Sequence, residues 1–168
     1  MSDLTINISK LSEGTHQYDL EAETGNVGLD ERFIGSVSVH ANIEKTGRQL
    51  HLRASLKAKG KFTCDRCLDE FGKEVGARYE IVYLTDEGMT PGSKEEEVQY
   101  IHADTTILDL GEDVRQFLVL AIPQKLLCKE DCRGLCPVCG VNRNKVKCKC
   151  ETKEADPRWD ALKKMSLN

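Results

Sequence analysis

From Phe33 to Ile43 the apolar side chains fall mostly on odd-numbered positions, and from Leu50 to Ala58 on even-numbered ones, with polar residues between. Alternation at period two puts one face of a strand in a core and the other in water, so both stretches predict half-buried β-strands. Leu4-Thr5-Ile6-Asn7-Ile8 follows the same rule. Thr46-Gly47 supplies a turn between the two long runs. Alternation resumes after Cys67 through Phe71, Val75, Ala77, Tyr79, Ile81 and Tyr83, and Val98-Gln99-Tyr100-Ile101 has the composition of a short edge strand. Strands in this succession predict an antiparallel β-meander or a partly closed barrel, with Cys64 and Cys67 at a strand-to-strand turn.

The period then changes. Ile107, Leu110, Val114, Phe117, Leu118 and Ala121 recur at helical spacing, Asp109 and Glu112 resemble a capping box, and Pro123 stops the run. One main helix over 107–122 follows. Asp156-Pro157-Arg158-Trp159 predicts a second, short helix that buries Trp159 and Leu162. Gly88, Pro91, Gly92 and Ser93, set among acids between Asp86 and Gln99, predict an exposed loop. The expected fold class is α+β: a β-rich domain over 1–127 and a Cys-rich module with its short helix over 128–168.

Composition sharpens this picture in two ways. Aromatic residues make up only 5% of the chain, so Val, Ile and Leu must build the core. The N-terminus lacks a basic segment followed by an apolar one, and no run approaches the ~20 apolar residues of a membrane span. A cytoplasmic protein with no membrane partner is expected. Eight cysteines in a reducing compartment point to metal binding or redox chemistry before disulfides.

Cys64-Asp65-Arg66-Cys67 lets two thiolates of one turn reach the same tetrahedral zinc. A redox pair of this spacing needs a strand end that opens a helix, whereas an alternating strand follows here. Cys136-Pro137-Val138-Cys139-Gly140 is the more specific motif, because Gly tolerates a tight backbone whose N–H groups point at sulfur. Cys148 and Cys150 follow at ribbon-loop distance. One arrangement joins Cys136, Cys139, Cys148 and Cys150, and leaves Cys64, Cys67, Cys128 and Cys132 for a second site. Another shares Cys132 with Cys136 and frees Cys128. Either gives structural zinc, two ions in the first case, in a small zinc-ribbon-like module. Four protein ligands leave no open position to activate water. His16, His40, His51 and His102 are scattered and not needed as ligands.

The net charge of −4 conceals segregation along the chain. Between Asp86 and Asp113 the acids face Lys94 as the only Lys or Arg. Arg48, Arg53, Lys57, Lys59 and Lys61 make the first alternating hairpin basic on one face. Arg133, Arg143, Lys145, Lys147 and Lys149 surround the last cysteines, where they either compensate the negative charge of four thiolates or meet phosphate. Compensation and RNA contact stand equal on the residues alone, and RNA would be held through these ten side chains. The rival is a module that docks a basic protein on its acidic loop. The chain contains no catalytic Ser/His/Asp grouping, phosphate-binding Gly loop or paired-carboxylate motif, so neither an enzyme nor a small-molecule substrate is expected.

Taken in order, several features resemble the YceD family of bacterial and plastid proteins. They are Cys-x-Arg-Cys after a basic strand, an acidic loop, a helix ending in Ala-Ile-Pro, Cys-x-x-x-Cys-x-Gly-Leu-Cys-Pro-x-Cys-Gly, and Asp-Pro-Arg-Trp. The resemblance implies ribosome biogenesis, in the form of accumulation of large-subunit ribosomal RNA, without catalysis. The implied partners are that rRNA or its precursor and, alternatively, a large-subunit ribosomal protein or assembly factor. It also implies the two-quartet grouping: Cys64 and Cys67 match the most widely shared motif, Cys128 and Cys132 the pair that follows, and Cys136, Cys139, Cys148 and Cys150 a knuckle that some members lack. This sequence departs from its relatives in having Arg143-Asn144 where they tend to read Leu-Asn.

Overall fold

The computed structural model describes residues 3–85, 94–95 and 98–150. The chain divides into two compact units, one formed by residues up to Phe62 together with Glu70–Leu126, the other by Thr63–Asp69 together with the chain from Leu127 on.

The first unit is built on a six-stranded sheet. Its long strands are β2 (Gly14–Glu23), β3 (Phe33–Thr46), β4 (Gln49–Thr63) and β5 (Glu70–Thr85), followed by β6 (Lys94–Glu95) and β7 (Val98–Ile101). Val37, Val39, Ala41 and Ile43 of β3 and Leu50, Leu52, Ala54, Leu56 and Ala58 of β4 are buried, on the positions the alternation marks. The turn after Thr46 is a two-residue loop, because Thr46 and Gln49 already pair. A bulge between Ile34 and Val37 interrupts the β3–β4 register.

The spatial order β2-β3-β4-β5-β7-β6 corrects the expected topology. The sheet is open and mixed instead of a barrel or an all-antiparallel meander, because β7 runs parallel to β5, with Val82 opposite Val98 and Thr85 opposite Ile101. Nor is β7 an edge strand, since β6 pairs antiparallel on its far side.

A further two-stranded ladder joins β1 (Thr5–Asn7) to β8 (Ile107–Asp109), with Ile6 opposite Leu108. This shortens the expected helix from its N-terminal end: α1 spans Gly111–Leu120, and Ile107 sits in a strand, half exposed to solvent. The capping box does not form. Asp109 accepts the N–H of Gly111 at 2.9 Å, but Glu112 reaches forward to Arg115 and Gln116.

Helix α1 buries Val114 and Leu118 in the core cluster shared with Leu4, Ile6 and the sheet. The Phe117 ring stacks on Tyr79 of β5 with centroids 4.6 Å apart. Burial, reinforced by the Asp113 carboxylate, pushes the Tyr83 hydroxyl well above its ordinary pKa, so this phenol stays neutral and donates to Asp113 at 3.5 Å. The predicted C-terminal helix with Trp159 and most of the acidic loop lie outside the described residues. Among the described residues no helix is long and apolar enough to cross a membrane.

Candidate metal centres

All eight cysteines fall in the second unit and carry free thiols. Their sulfurs gather into two groups, Cys64 with Cys67, Cys128 and Cys132, and Cys136 with Cys139, Cys148 and Cys150, each with its four Sγ atoms within 4.8 Å of one another. In the first group Cys64 and Cys132 stand 3.8 Å apart, and Cys67 and Cys128 3.7 Å. Four sulfurs at about 2.3 Å from a tetrahedral zinc would stand about 3.8 Å apart. Both sulfur pairs of the first group thus stand at the spacing of a ZnS4 centre.

The two Cys-x-x-Cys turns are built alike. In the first, the N–H of Leu68 donates to the carbonyl of Cys64 at 2.9 Å and that of Cys64 to Asp69 at 2.9 Å. In the second, Gly140 donates to Cys136 at 2.9 Å and Cys136 to Val141 at 2.8 Å. Both turns need a left-handed residue straight after the second cysteine. Gly140 supplies it freely with φ 74°, whereas Leu68 adopts φ 61° as the one non-glycine with positive φ among the described residues. A side chain in that region costs roughly 1–2 kcal/mol per residue, and Leu68 is also 63% exposed.

The turns aim backbone N–H groups at sulfur. Burial pushes the Cys64 thiol up, but the N–H groups of Cys128, Cys67 and Arg66 outweigh it and bring the thiol down to about 6. The N–H groups of Cys139 and Val138 bring Cys136 to about 6 against the opposing effect of burial. Burial and the neighbouring thiols push Cys128 up to about 12, and the Cys139 thiol, with burial, does the same to Cys150. Each group thus sets thiols prepared as thiolates, Cys64 and Cys132 in the first and Cys136 in the second, beside others that resist ionisation, a conflict between like charges that a divalent cation would remove.

Polar side chains of the second unit fasten the first group. Arg66 donates to the carbonyl of Cys132 at 2.9 Å. Asn144 donates through Nδ2 to the Cys132 sulfur at 3.3 Å and accepts the N–H of Arg133 at 2.9 Å. Asn142 and Lys145 both donate to Asp69, at 2.8 and 2.9 Å, and Lys145 holds that carboxyl below its ordinary pKa. Gly134 packs so closely that a Cβ would come 2.9 Å from the carbonyl oxygen of Arg66. Sequence reasoning did not single out Asn142 or Asp69 and named Asn144 only in the Arg143-Asn144 departure; the Asn-x-Asn spacing, suited to Asx turns, was the available signal.

The ten basic residues sort into two sets. On β4, Arg53, Lys57, Lys59 and Lys61 occupy the exposed positions between buried ones, while Arg48 lies in the β3–β4 turn. Arg53 meets Glu80 at 3.3 Å and Lys61 meets Glu70 at 2.7 Å. Among the described residues no ion pair engages Lys57 or Lys59. In the second unit all five are exposed. Lys145 is bound to Asp69, whereas Arg133, Arg143 and Lys147 line a notch of about 280 Å³ beside Cys136, Cys148 and Cys150. Lys149 is exposed one residue from that notch.

The family model described as "Large ribosomal RNA subunit accumulation protein YceD" matches residues 52–166. The chain belongs to the YceD family. A YceD relative in Arabidopsis thaliana, named large ribosomal RNA subunit accumulation protein YCED homolog 1, chloroplastic, is 23% identical over 75% of this chain. The chain spans 47% of that relative's length. Uncharacterised proteins of Mycobacterium bovis and Mycobacterium tuberculosis are 24% identical over 98% of this YceD chain and 82% of their own. No solved structure matches it.

Proposed function

We propose that this YceD protein is a cytoplasmic, non-enzymatic ribosome-biogenesis factor that supports accumulation of large-subunit ribosomal RNA by binding that RNA or its precursor. Family membership supports the process. The observation that carries RNA contact is the row of outward basic side chains on β4, in which Lys57 and Lys59 have no carboxylate partner among the described residues. Contact with phosphate is the use such a row has, and it predicts affinity that falls steeply with salt. The exposed Arg133, Arg143, Lys147 and Lys149 would add phosphate contacts from the second unit, and Arg48, Arg53, Lys61 and Lys145 would support them.

Both cysteine groups would hold structural zinc. Cys64, Cys67, Cys128 and Cys132 would bind one ion, and Cys136, Cys139, Cys148 and Cys150 the other. Zinc would supply a cross-link that lets a unit with little apolar core stay folded.

The test is crosslinking in cells with sequencing of the attached RNA, done with the wild-type chain and with Lys57→Glu/Lys59→Glu. The expected result is enrichment of large-subunit rRNA, lost in the double variant while zinc content by native mass spectrometry is unchanged. Unaltered crosslinking would overturn the proposal. Loss of a basic protein partner on deleting Glu95 to Glu97, with no RNA recovered from the wild type, would instead favour the docking module.

A further inference from the structure

The first unit contains an open cleft of about 730 Å³ whose lining includes His40, Asn42, Arg53, Arg78, Tyr79 and Phe117. Strand register explains the polar side: Asn42 of β3 lies opposite Arg53 of β4, and His40 lies opposite Ser55, which also lines the cleft. Charges in the cleft are unevenly satisfied. Glu80 balances Arg53, and the Nδ1 atom of His40 contacts Asp19 at 2.7 Å. Arg78 is exposed and makes no ion pair among the described residues. The side-chain amide of Asn42, half-buried in the lining, makes no hydrogen bond among the described residues. Tyr79 is buried and its ring lies against that of Phe117, the two planes 6° apart, so the half-buried Phe117 carries the aromatic surface of the lining.

These three kinds of group correspond to the three parts of a nucleotide that proteins recognise. A guanidinium matches a phosphate, a free amide offers a donor and an acceptor to a base edge, and aromatic surface favours a base's π-face. The volume falls in the range of about 300–1,000 Å³ that takes small ligands, enough for one splayed nucleotide and too small for a duplex. We propose that this cleft captures a single unpaired nucleotide of a single-stranded RNA, with Arg78 on its phosphate and Asn42 on its base edge. The inference rests on the RNA-binding reading above and adds to it which form of RNA is taken and where. It requires Arg78 and Asn42, which the basic row of β4 does not include.

Fluorescence anisotropy on the full zinc-loaded chain tests it, using a labelled oligoribonucleotide either single-stranded or annealed to its complement. The single strand should bind more tightly. Arg78→Ala should weaken single-strand binding roughly tenfold and reduce the salt slope by about one. Arg78→Lys should restore part of the loss, and Asn42→Ala should weaken binding while leaving the slope unchanged. If Arg78→Ala and Asn42→Ala bind the single strand as the wild type does while Lys57→Glu/Lys59→Glu does not, the cleft is excluded and the RNA-binding reading stands. Equal affinity for duplex and single strand, or a mononucleotide that binds as tightly as the strand, would also overturn the cleft. Absence of binding to either RNA would overturn both.

Discussion

The two cysteine groups share one chemistry and differ in how the chain reaches it. The first joins a turn at Cys64 and Cys67 to Cys128 and Cys132, far along the sequence, and three of its four cysteines are buried. The second closes within Cys136 to Cys150, where Cys136 alone is buried and Cys139 and Cys150 are exposed. Closing a loop costs entropy that grows slowly with its length, so an ion in the first group would span much more of the chain than one in the second but restrain the unfolded state only moderately more. Metal bound in the first group would tie the unit together, whereas metal in the second would order one loop. Exposure points the same way, because exposed thiolates meet competing ligands and oxidants that buried ones do not.

Removing one ligand from each group gives the largest effect. Cys132→Ser should cost the first ion and unfold the whole second unit, since structural zinc contributes about 10–16 kcal/mol of apparent folding free energy in small peptides. Cys150→Ser should cost one ion and leave the first group intact. Native mass spectrometry counts the ions and hydrogen exchange maps the damage. If Cys150→Ser lost both ions, the difference drawn between the groups would be wrong.

A smaller effect is expected at Asn144, whose amide touches the Cys132 sulfur and whose oxygen caps Arg133. Loss of such a supporting hydrogen bond typically reduces metal affinity about 10–100-fold. Asn144→Ala should therefore weaken the first group in a chelator competition and leave the second unchanged. A matching loss in the second would mean that the two groups act as one.

The smallest effect has the opposite sign. Leu68→Gly would give the first turn the residue that the second already has, and relief of the left-handed side chain should stabilise the holoprotein by about 1 kcal/mol. A fall in thermal midpoint would instead show that the exposed Leu68 side chain is needed where it stands.

Sequence patterning made the long strands β3, β4 and β5 legible, because each has one wet face and one dry face. The hydrophobic centre of α1 was legible for the same reason. Ile107 to Asp109 was not: an apolar residue at helical spacing from Leu110 reads as helix unless its partner is known, and that partner is Thr5–Asn7, a tertiary pairing with no local signature. The parallel lie of β7 was hidden likewise, since its composition reports a strand and not its direction. For the candidate site, spacing marked the cysteines as ligand material, but spacing alone left two groupings open, and the resemblance favoured the one in which the thiols now stand. Asn144 was marked only as part of the Arg143-Asn144 departure, because its contact with the Cys132 sulfur is a tertiary one that spacing does not report.

The β1–β8 ladder has a consequence for the order of events during synthesis. Thr5 pairs with Asp109, so β1 is translated well before the strand it pairs with. At about 5–20 residues per second, β1 and the apolar side chains of Leu4 and Ile6 wait for several seconds while the sheet is made, and the thiols of Cys64 and Cys67 wait for Cys128 and Cys132 to emerge. The ladder and the first cysteine group therefore close only after Asp109 and Cys132 have been translated.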